Sequence, residues 1–525
     1  MKRKPPTLRG MEKSMASTII FYFVFVVNLL LAGFLGWSLY DMHLIPSQYA
    51  FLAAGLLLLI PLLLFLLQKE KKGRNKKTGV RVAAIVLLLF LSIVEGVGCY
   101  FVHQYNSKMR NVTEVYTQYT EVGLYVKEED KAQTIEYAVE REYRIGVLEG
   151  VDAEAIDHVR GNLEKQHGRS LRLVSFPSLA ELATAMDQGE IDAMLLSSAY
   201  LGLIDSLEGY ENFSTGLRSL YSGSFKTEIQ VPAFPETAQG GSQEDLGLRD
   251  PALWKDSFCT YISGIDTYGP VTTRSRSDVN ILALVNTGTK TVLLISTPRD
   301  YYVPFMFSPV NGSMDKLTHA GIYGIEGSMR ALGDYYGLPM HYYLRVNFSG
   351  FIDIIDTLGG VDVESDATFG FDGHQYYKGM NHLSGSAALG FVRNRHDFGE
   401  GDRARGRHQM AVIKGVINGL MSSKIITNYA ELLDEMSGCL QTNASRSMIG
   451  DLVQLTLDRK KGDWKVLTYS VDGYGSTEYA WSLGAYAYVM VPYANNRDYA
   501  RDLAMKVLTG ETLTQEELQA NAPKN

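Results

Sequence analysis

Three long apolar runs near the start of the chain limit most strongly what it can fold into. Ser14 to Tyr40 and Gln48 to Leu67 contain no charged residue, and Val82 to Val102 contains only Glu95. Each supplies the roughly 20 apolar residues that a membrane-spanning helix requires. Pro61 inside the second run is tolerable there, because neighbouring helices can satisfy the carbonyl it frees. Spans are therefore expected over about 15–40, 48–67 and 80–102.

The basic residues set an expected orientation. Lys2, Arg3, Lys4, Arg9 and Lys13 precede the first run, and QKEKKGRNKK joins the second to the third. Both segments should be cytoplasmic, whereas the loop DMHLIPS, with no Lys or Arg, belongs outside. Three spans then place everything after about Val102 on the outer face. The first run is too long for a cleaved signal peptide, and two more follow it. Glu95 is an intramembrane carboxylate, and an interfacial or helix-paired position is expected for it without an assigned role.

Charge divides along the same boundary. Residues 1–105 carry 12 Lys+Arg against 4 Asp+Glu, and the remainder carries 38 against 54, a net of −16. So acidic a body is a poor general binder of nucleic acid, whose affinity rests on phosphate neutralisation. Cys99, Cys259 and Cys439 make no disulfide framework, although one bridge between the last two remains open, and no Cys/His spacing suggests zinc.

The exported part reads as α/β. After an extended or helical stem from residue 106, REYRIGVLEG, RLVSF and DAMLLSS read as strands alternating with helices DAEAIDHVRGNLEKQHG and SLAELATAMDQGE. That pattern predicts a small accessory domain with a partly parallel sheet, ending near residue 235, with a spacer or docking role. A Pro-, Gly- and acid-rich stretch over 236–254 reads as a linker. A larger α/β domain follows over 255–510, with a short tail to residue 525. Its strands VNILALV and TVLLIST are near-continuous apolar runs, which predicts a mixed central sheet covered by helices on both faces.

In that larger domain, charged residues stand against apolar strand ends. Asp266 follows one strand, and Arg276 and Asp278 precede the next; Arg299 and Asp300 follow TVLLIST, which Pro298 stops. Open α/β sheets bind ligands at such carboxyl ends. The segment FVRNRHDFGEGDRARGRHQ carries five arginines, which suits either a solvated basic turn or a bound polyanion. Asp402, Arg405 and Gln409 recur at helical spacing on a stripe continued by Val412, Ile413, Val416 and Leu420, while Arg403 and Arg407 fall opposite and read as solvated. Two aspartates with converging arginines fit phosphoryl chemistry with Mg²⁺ or Mn²⁺, and equally a structural network of salt bridges.

The ordered segments ISGIDTYG, RSRSDVNILALVN, LISTPRDYYVP, KLTHAGIYG, VNFSGFIDIIDTLGGVDV, LSGSAALGFVRNRHDF and GDRARGRHQ resemble the LytR-CpsA-Psr family of cell-envelope phosphotransferases. Three spans followed by an accessory domain resemble its capsule-linked members of Gram-positive bacteria. The resemblance implies transfer of a glycopolymer, capsular polysaccharide by this architecture, from undecaprenyl pyrophosphate to peptidoglycan through a phosphodiester; it also admits pyrophosphatase activity. Asp266 and Asp278 would hold the metal. Arg276, Arg299, Arg393, Arg395, Arg405 and Gln409 would hold the pyrophosphate, with Asp402 orienting arginines and Lys316 lining the site.

His408 stands where family members commonly have arginine, which would alter head-group grip or pH dependence. A different reading is an envelope-associated regulator or scaffold of capsule biosynthesis, with other capsule-assembly proteins as partners. The basic cytoplasmic segments are short and lack a helix-turn-helix, and anionic lipid headgroups account for their charge.

Overall fold

The computed structural model describes residues 8–42, 47–68, 78–229, 256–265, 270–394, 402–420, 439–457 and 463–523. The chain divides into two units, Met1–Thr113 with Ser445–Asp458, and Glu114–Ala444 with Arg459–Asn525.

In the first unit, the apolar runs form helices α1 (Leu8–Asp41), α2 (Ser47–Gln68) and α3 (Thr78–Val112), with Pro61 inside α2. All three are long and apolar enough to cross a membrane. Their outward side chains, such as Phe23, Leu30 and Ile93, stay exposed, as suits helices solvated by lipid rather than water. Polar contacts join α1 to α3: Asn28 donates from Nδ2 to Glu95 Oε2 at 2.7 Å and to Ser92 Oγ at 3.3 Å, and Arg81 donates to the hydroxyls of Ser17 and Thr18. Glu95 is thus helix-paired. The helix Arg446–Leu457 belongs to this unit, and Arg446 donates to Asn106 at 3.3 Å.

The second unit holds two sheets. The smaller has strand order β3-β2-β4-β1-β5, formed by β1 (Thr117–Lys127), β2 (Arg144–Leu148), β3 (Arg172–Phe176), β4 (Ala193–Ser197) and β5 (Leu217–Glu228). β2 runs parallel to β3 and β4, and β1 runs antiparallel to β4 and β5. Helices Ala153–His167 and Leu179–Asp187 cover it, burying Ile156, Val159 and Leu163 on one side and Leu182 and Met186 on the other. Residues 117–127 were expected as stem. Their alternation is obscured by a continuous buried run from Val122 to Val126, which arises because β1 lies inside the sheet.

The larger sheet has six strands, ordered Leu440–Thr442, Tyr342–Asn347, β6 (Ser257–Ile265), β7 (Val279–Asn286), β8 (Thr291–Thr297) and Lys465–Ser470. It is mixed: β7 is antiparallel to both β6 and β8, while Tyr342–Asn347 is parallel to β6 and Lys465–Ser470 is parallel to β8. β8 is buried at every position and β7 at all but its first, as continuous apolar runs require. Helices Gly324–Tyr336 and Ala494–Leu508 close one face through Met329, Leu332, Leu503 and Val507; Met410 and Ile413 of the helix Asp402–Leu420 pack on the other. Within the stripe expected on that last helix, Val412 is fully buried, while Ile413, Val416 and Leu420 are half-buried.

The expected helix over NYAELLDEMSG and the expected linker over 236–254 lie outside the described residues. Cys99, Cys259 and Cys439 are all free thiols, so the bridge left open between the last two does not form.

Candidate active site at the strand ends

β8 and its parallel neighbour Lys465–Ser470 finish together, and β7, running the other way, begins at the same edge. Ser296, Thr297, Pro298 and Arg299 therefore meet Ser470, Val471, Asp472 and Asp278 around one cleft of about 200 Å³. Gly406, Arg407 and Gln409, from the first two turns of the helix Asp402–Leu420, complete it. Carboxyl strand ends and a helix N-terminus both favour an anionic ligand.

Asp278 and Arg299 face each other in this cleft. Arg299 Nη1 donates to Asp278 Oδ1 at 2.8 Å, with both side chains at most 16% exposed, so the pair is only weakly screened. The Thr318 hydroxyl donates to the same oxygen at 3.1 Å, and the Thr318 amide donates to the Arg299 carbonyl at 2.8 Å. Asp300 lies 3.7 Å from Arg299 Nε and 4.0 Å from Lys316 Nζ. Burial holds the Lys316 ammonium below the usual lysine range, with the Asp300 carboxylate opposing.

The segment carrying Arg276 and Asp278 is fixed from three sides. From the sheet, Asp278 donates its amide to the Gly264 carbonyl at 2.8 Å, and Ser277 Oγ hydrogen-bonds Tyr261 Oη and Ser263 Oγ, each at 2.8 Å. From below, the 3₁₀ turn Leu317–Tyr323 approaches so closely that a Cβ on Gly321 would lie 2.5 Å from the Ser275 carbonyl, which explains glycine there. Also from the sheet, Arg345 of the strand Tyr342–Asn347 donates to the Thr273 carbonyl at 2.8 Å. Arg345 is 1% exposed, and burial lowers its pKa to about 10.

The third side is the accessory domain. Tyr119 of β1 bridges Thr273, its amide donating to the Thr272 carbonyl and its carbonyl accepting from the Arg274 amide, both at 2.9 Å. Arg274 pairs with Asp152 at 2.9 Å, and Arg276 Nη1 donates to the Gly202 carbonyl at 3.0 Å. Asp152 itself sits in the left-handed region at φ 47°, a conformation that aspartate tolerates better than most residues. A second cleft, of about 450 Å³, opens between the domains, lined by Glu121, Ser198, Gly202, Arg274, Ser275, Arg276 and Asp278 among others.

Asp278, Arg299 and Gln409 are thus brought to one cleft, and Asp278 and Arg276 to another. Arg393 lays its guanidinium over the Phe348 ring, 4.2 Å from the centroid, and does not line either cleft. Asp266 and Arg395 lie outside the described residues; Asp402 and Arg405 lie on the helix, with their side chains outside the description. Arg407, read as solvated, lines the first cleft and pairs with Asp366 at 3.1 Å while remaining 42% exposed.

His408 points elsewhere. Its ring stacks on Phe369 and lies 4.3 Å from Phe391, with Nδ1 3.2 Å from the Phe391 carbonyl, and burial holds its pKa below the usual histidine range. The residue at this position therefore belongs to an aromatic cluster. Sequence reasoning missed Arg274, Thr318 and Arg345. Arg274 had a signal, since Arg274, Arg276 and Asp278 alternate along an extended segment; so had Arg345, an arginine at a buried position of an alternating strand.

The LytR_cpsA_psr family model matches residues 235–497. A polyisoprenyl-teichoic acid–peptidoglycan teichoic acid transferase TagU from Enterococcus faecalis (strain ATCC 700802 / V583) is 31% identical over 243 residues, spanning 46% of this chain and 77% of that protein. The protein of the same name from Bacillus licheniformis is 30% identical over 222 residues, spanning 42% and 70%. The crystal structure of B. subtilis TagU aligns with 26% identity over 50% of this chain and 100% of that one, with a TM-score of 0.38.

Proposed function

Because the chain belongs to the LytR_cpsA_psr family, we propose that it is a membrane-anchored phosphotransferase that moves a glycopolymer from a polyprenyl pyrophosphate carrier to peptidoglycan. The observation that carries this reading is the meeting of Arg299, Asp278 and Gln409 in one cleft beyond two parallel strand ends. Relatives named as transferases of polyisoprenyl-linked teichoic acid to peptidoglycan support the reaction class. Capsular polysaccharide is the glycopolymer that the three spans and accessory domain favour.

The transfer forms one bond and breaks one. An acceptor hydroxyl oxygen bonds to the phosphorus that carries the glycan, and the bond from that phosphorus to the oxygen of the lipid phosphate breaks. The hydroxyl proton leaves with the departing lipid monophosphate. Arg299 holds the pyrophosphate and offsets the charge that grows on the leaving oxygen, which is where fixed cations contribute most. Gln409 donates to the same group from the helix, and Arg276 flanks it from the accessory side. Arg395 and Arg405 would extend the anion grip, whereas Arg393 is directed to Phe348.

A metal fits this donor set. Asp278 offers a hard carboxylate oxygen at the cleft wall, and Asp266 immediately follows the last residue of β6, the strand paired with β7 beside Asp278. One or two carboxylates completed by phosphate oxygens and water suit Mg²⁺ or Mn²⁺. Such an ion would supply charge neutralisation on the pyrophosphate.

The α1 to α3 helices would anchor the chain, with its basic N-terminus cytoplasmic and both later domains outside, where a lipid carrier on the outer leaflet and the wall lie within reach. The test is direct: the purified full chain in detergent, given a polyprenyl-pyrophosphate-linked glycan, a peptidoglycan acceptor and Mg²⁺, is expected to release lipid monophosphate and label the acceptor. No release above a heat-inactivated control rejects the reading.

A further inference from the structure

An in-line displacement places the attacking and leaving oxygens on opposite sides of phosphorus. A transfer site therefore needs two approaches that meet at the reacting centre. Asp278 lines both clefts described above, and it is at Asp278 that they adjoin.

The two clefts differ in chemistry. The first presents Arg299, Arg407 and Gln409 against Asp278 and Asp472, and suits a pyrophosphate. In the second, the guanidinium groups are already directed to the accessory domain, Arg274 to Asp152 and Arg276 to the Gly202 carbonyl. Glu121 from the accessory side and Asp278 from the larger domain add carboxylates to the cleft, and among the described residues no ion pair to Glu121 is found. With Arg274 paired to Asp152 and Asp278 to Arg299, Arg276 and Glu121 balance and leave no net positive field for a second phosphate. What remains are hydrogen-bond acceptors and hydroxyls: the Glu121 carboxylate, Ser198 and Ser275. These match a ligand rich in hydroxyl groups.

Resting on the transferase reading, we propose that the cleft between the accessory and larger domains receives the acceptor, a hydroxyl-bearing glycan chain, so that the accessory domain forms half of the transfer site. Glu121 and Ser198 bind sugar hydroxyls, and the acceptor oxygen reaches phosphorus past Asp278. The accessory domain then selects the acceptor, while the strand-end cleft holds the donor.

The test uses the full chain in detergent micelles and two soluble probes: a muramic-acid-containing tetrasaccharide cut from peptidoglycan, and geranyl pyrophosphate. Ala199→Trp, on the accessory wall of the cleft, narrows it. It is expected to weaken tetrasaccharide binding by about tenfold or more while the geranyl pyrophosphate Kd stays within about twofold. Glu121→Gln keeps the shape and removes the charge, and is expected to weaken the tetrasaccharide by about threefold. The proposal is overturned if the tetrasaccharide binds both variants as tightly as wild type, if it does not bind wild type, or if both probes are lost in parallel. Lipid-phosphate release by wild type is measured alongside. Release without tetrasaccharide binding rejects the acceptor cleft alone, and binding without release rejects the transferase reading alone.

Discussion

Arg276 donates from Nη1 to the backbone carbonyl of Gly202, 74 residues earlier in the chain, at 3.0 Å. A side chain expected at the pyrophosphate is thus held by the accessory domain, so a domain expected only to space or dock positions a residue of the proposed site. A Cβ on Gly202 would lie 3.1 Å from Arg276 Nη2. Gly202→Val is expected to displace the guanidinium and lower kcat/KM for lipid-phosphate release by about tenfold, the cost of a misplaced charged hydrogen bond. Steady-state kinetics beside a thermal melt check it, with Tm expected to move little.

The proposed role of Arg299 on the donor side gives a second expectation. Arg299→Ala should lower lipid-phosphate release by about a hundredfold or more, in the range seen when one transition-state donor is removed. Arg299→Lys should recover little of this, because an ammonium cannot hold Asp278 and a phosphate with the same planar fork. A lysine variant as active as wild type would place the pyrophosphate elsewhere.

Chelation should separate metal-assisted transfer from transfer by arginines alone. Treatment with EDTA is expected to stop lipid-phosphate release, with Mg²⁺ or Mn²⁺ restoring it in wild type and failing to do so in Asp278→Asn. Undiminished turnover in EDTA would reject the metal assignment for Asp278.

His408 predicts a pH dependence of stability with a definite sign. Its folded-state pKa is lowered by burial, with Asp366 opposing. As pH falls below about 6.5 the unfolded chain takes up the proton first, so stability drops through that window until the folded ring also protonates. His408→Phe keeps a ring between Phe369 and Phe391 and is expected to flatten this acid loss. Thermal melts at about pH 7 and about pH 5 measure it.

Arg345 is a buried brace of the segment that carries Arg276 and Asp278. Arg345→Leu removes the donor to the part-buried Thr273 carbonyl and should destabilise the protein by about 1 kcal/mol, the net loss of one hydrogen bond. It should also weaken geranyl pyrophosphate binding, although Arg345 lines neither cleft. Urea unfolding and a binding titration check the two effects separately.

Much of this was legible along the chain. The three apolar runs read directly as α1 to α3, because a helix surrounded by lipid needs no polar face. β7 and β8 were legible for a related reason, since a strand buried on both faces loses its alternation. β1 was not: its buried run from Val122 to Val126 follows Tyr- and Thr-rich residues that read as stem, and only its antiparallel pairing with β4 and β5 makes it a sheet strand. Arg407 is exposed, as read, but its pairing with Asp366 was not legible, because helical spacing gives a direction relative to the helix whereas that partner comes from a loop 41 residues away.

The sequence by itself determined the anchor, the α/β character of both later domains and the set of charged residues beside the strand ends, because local periodicity and composition encode burial. Tertiary structure alone decided which of those charges meet. Asp278 faces Arg299 from an adjacent strand, Arg276 turns to Gly202, Arg393 lies over Phe348 and His408 enters an aromatic cluster. Such pairings depend on long-range strand order and domain docking, and a side chain's sequence neighbours carry no record of either.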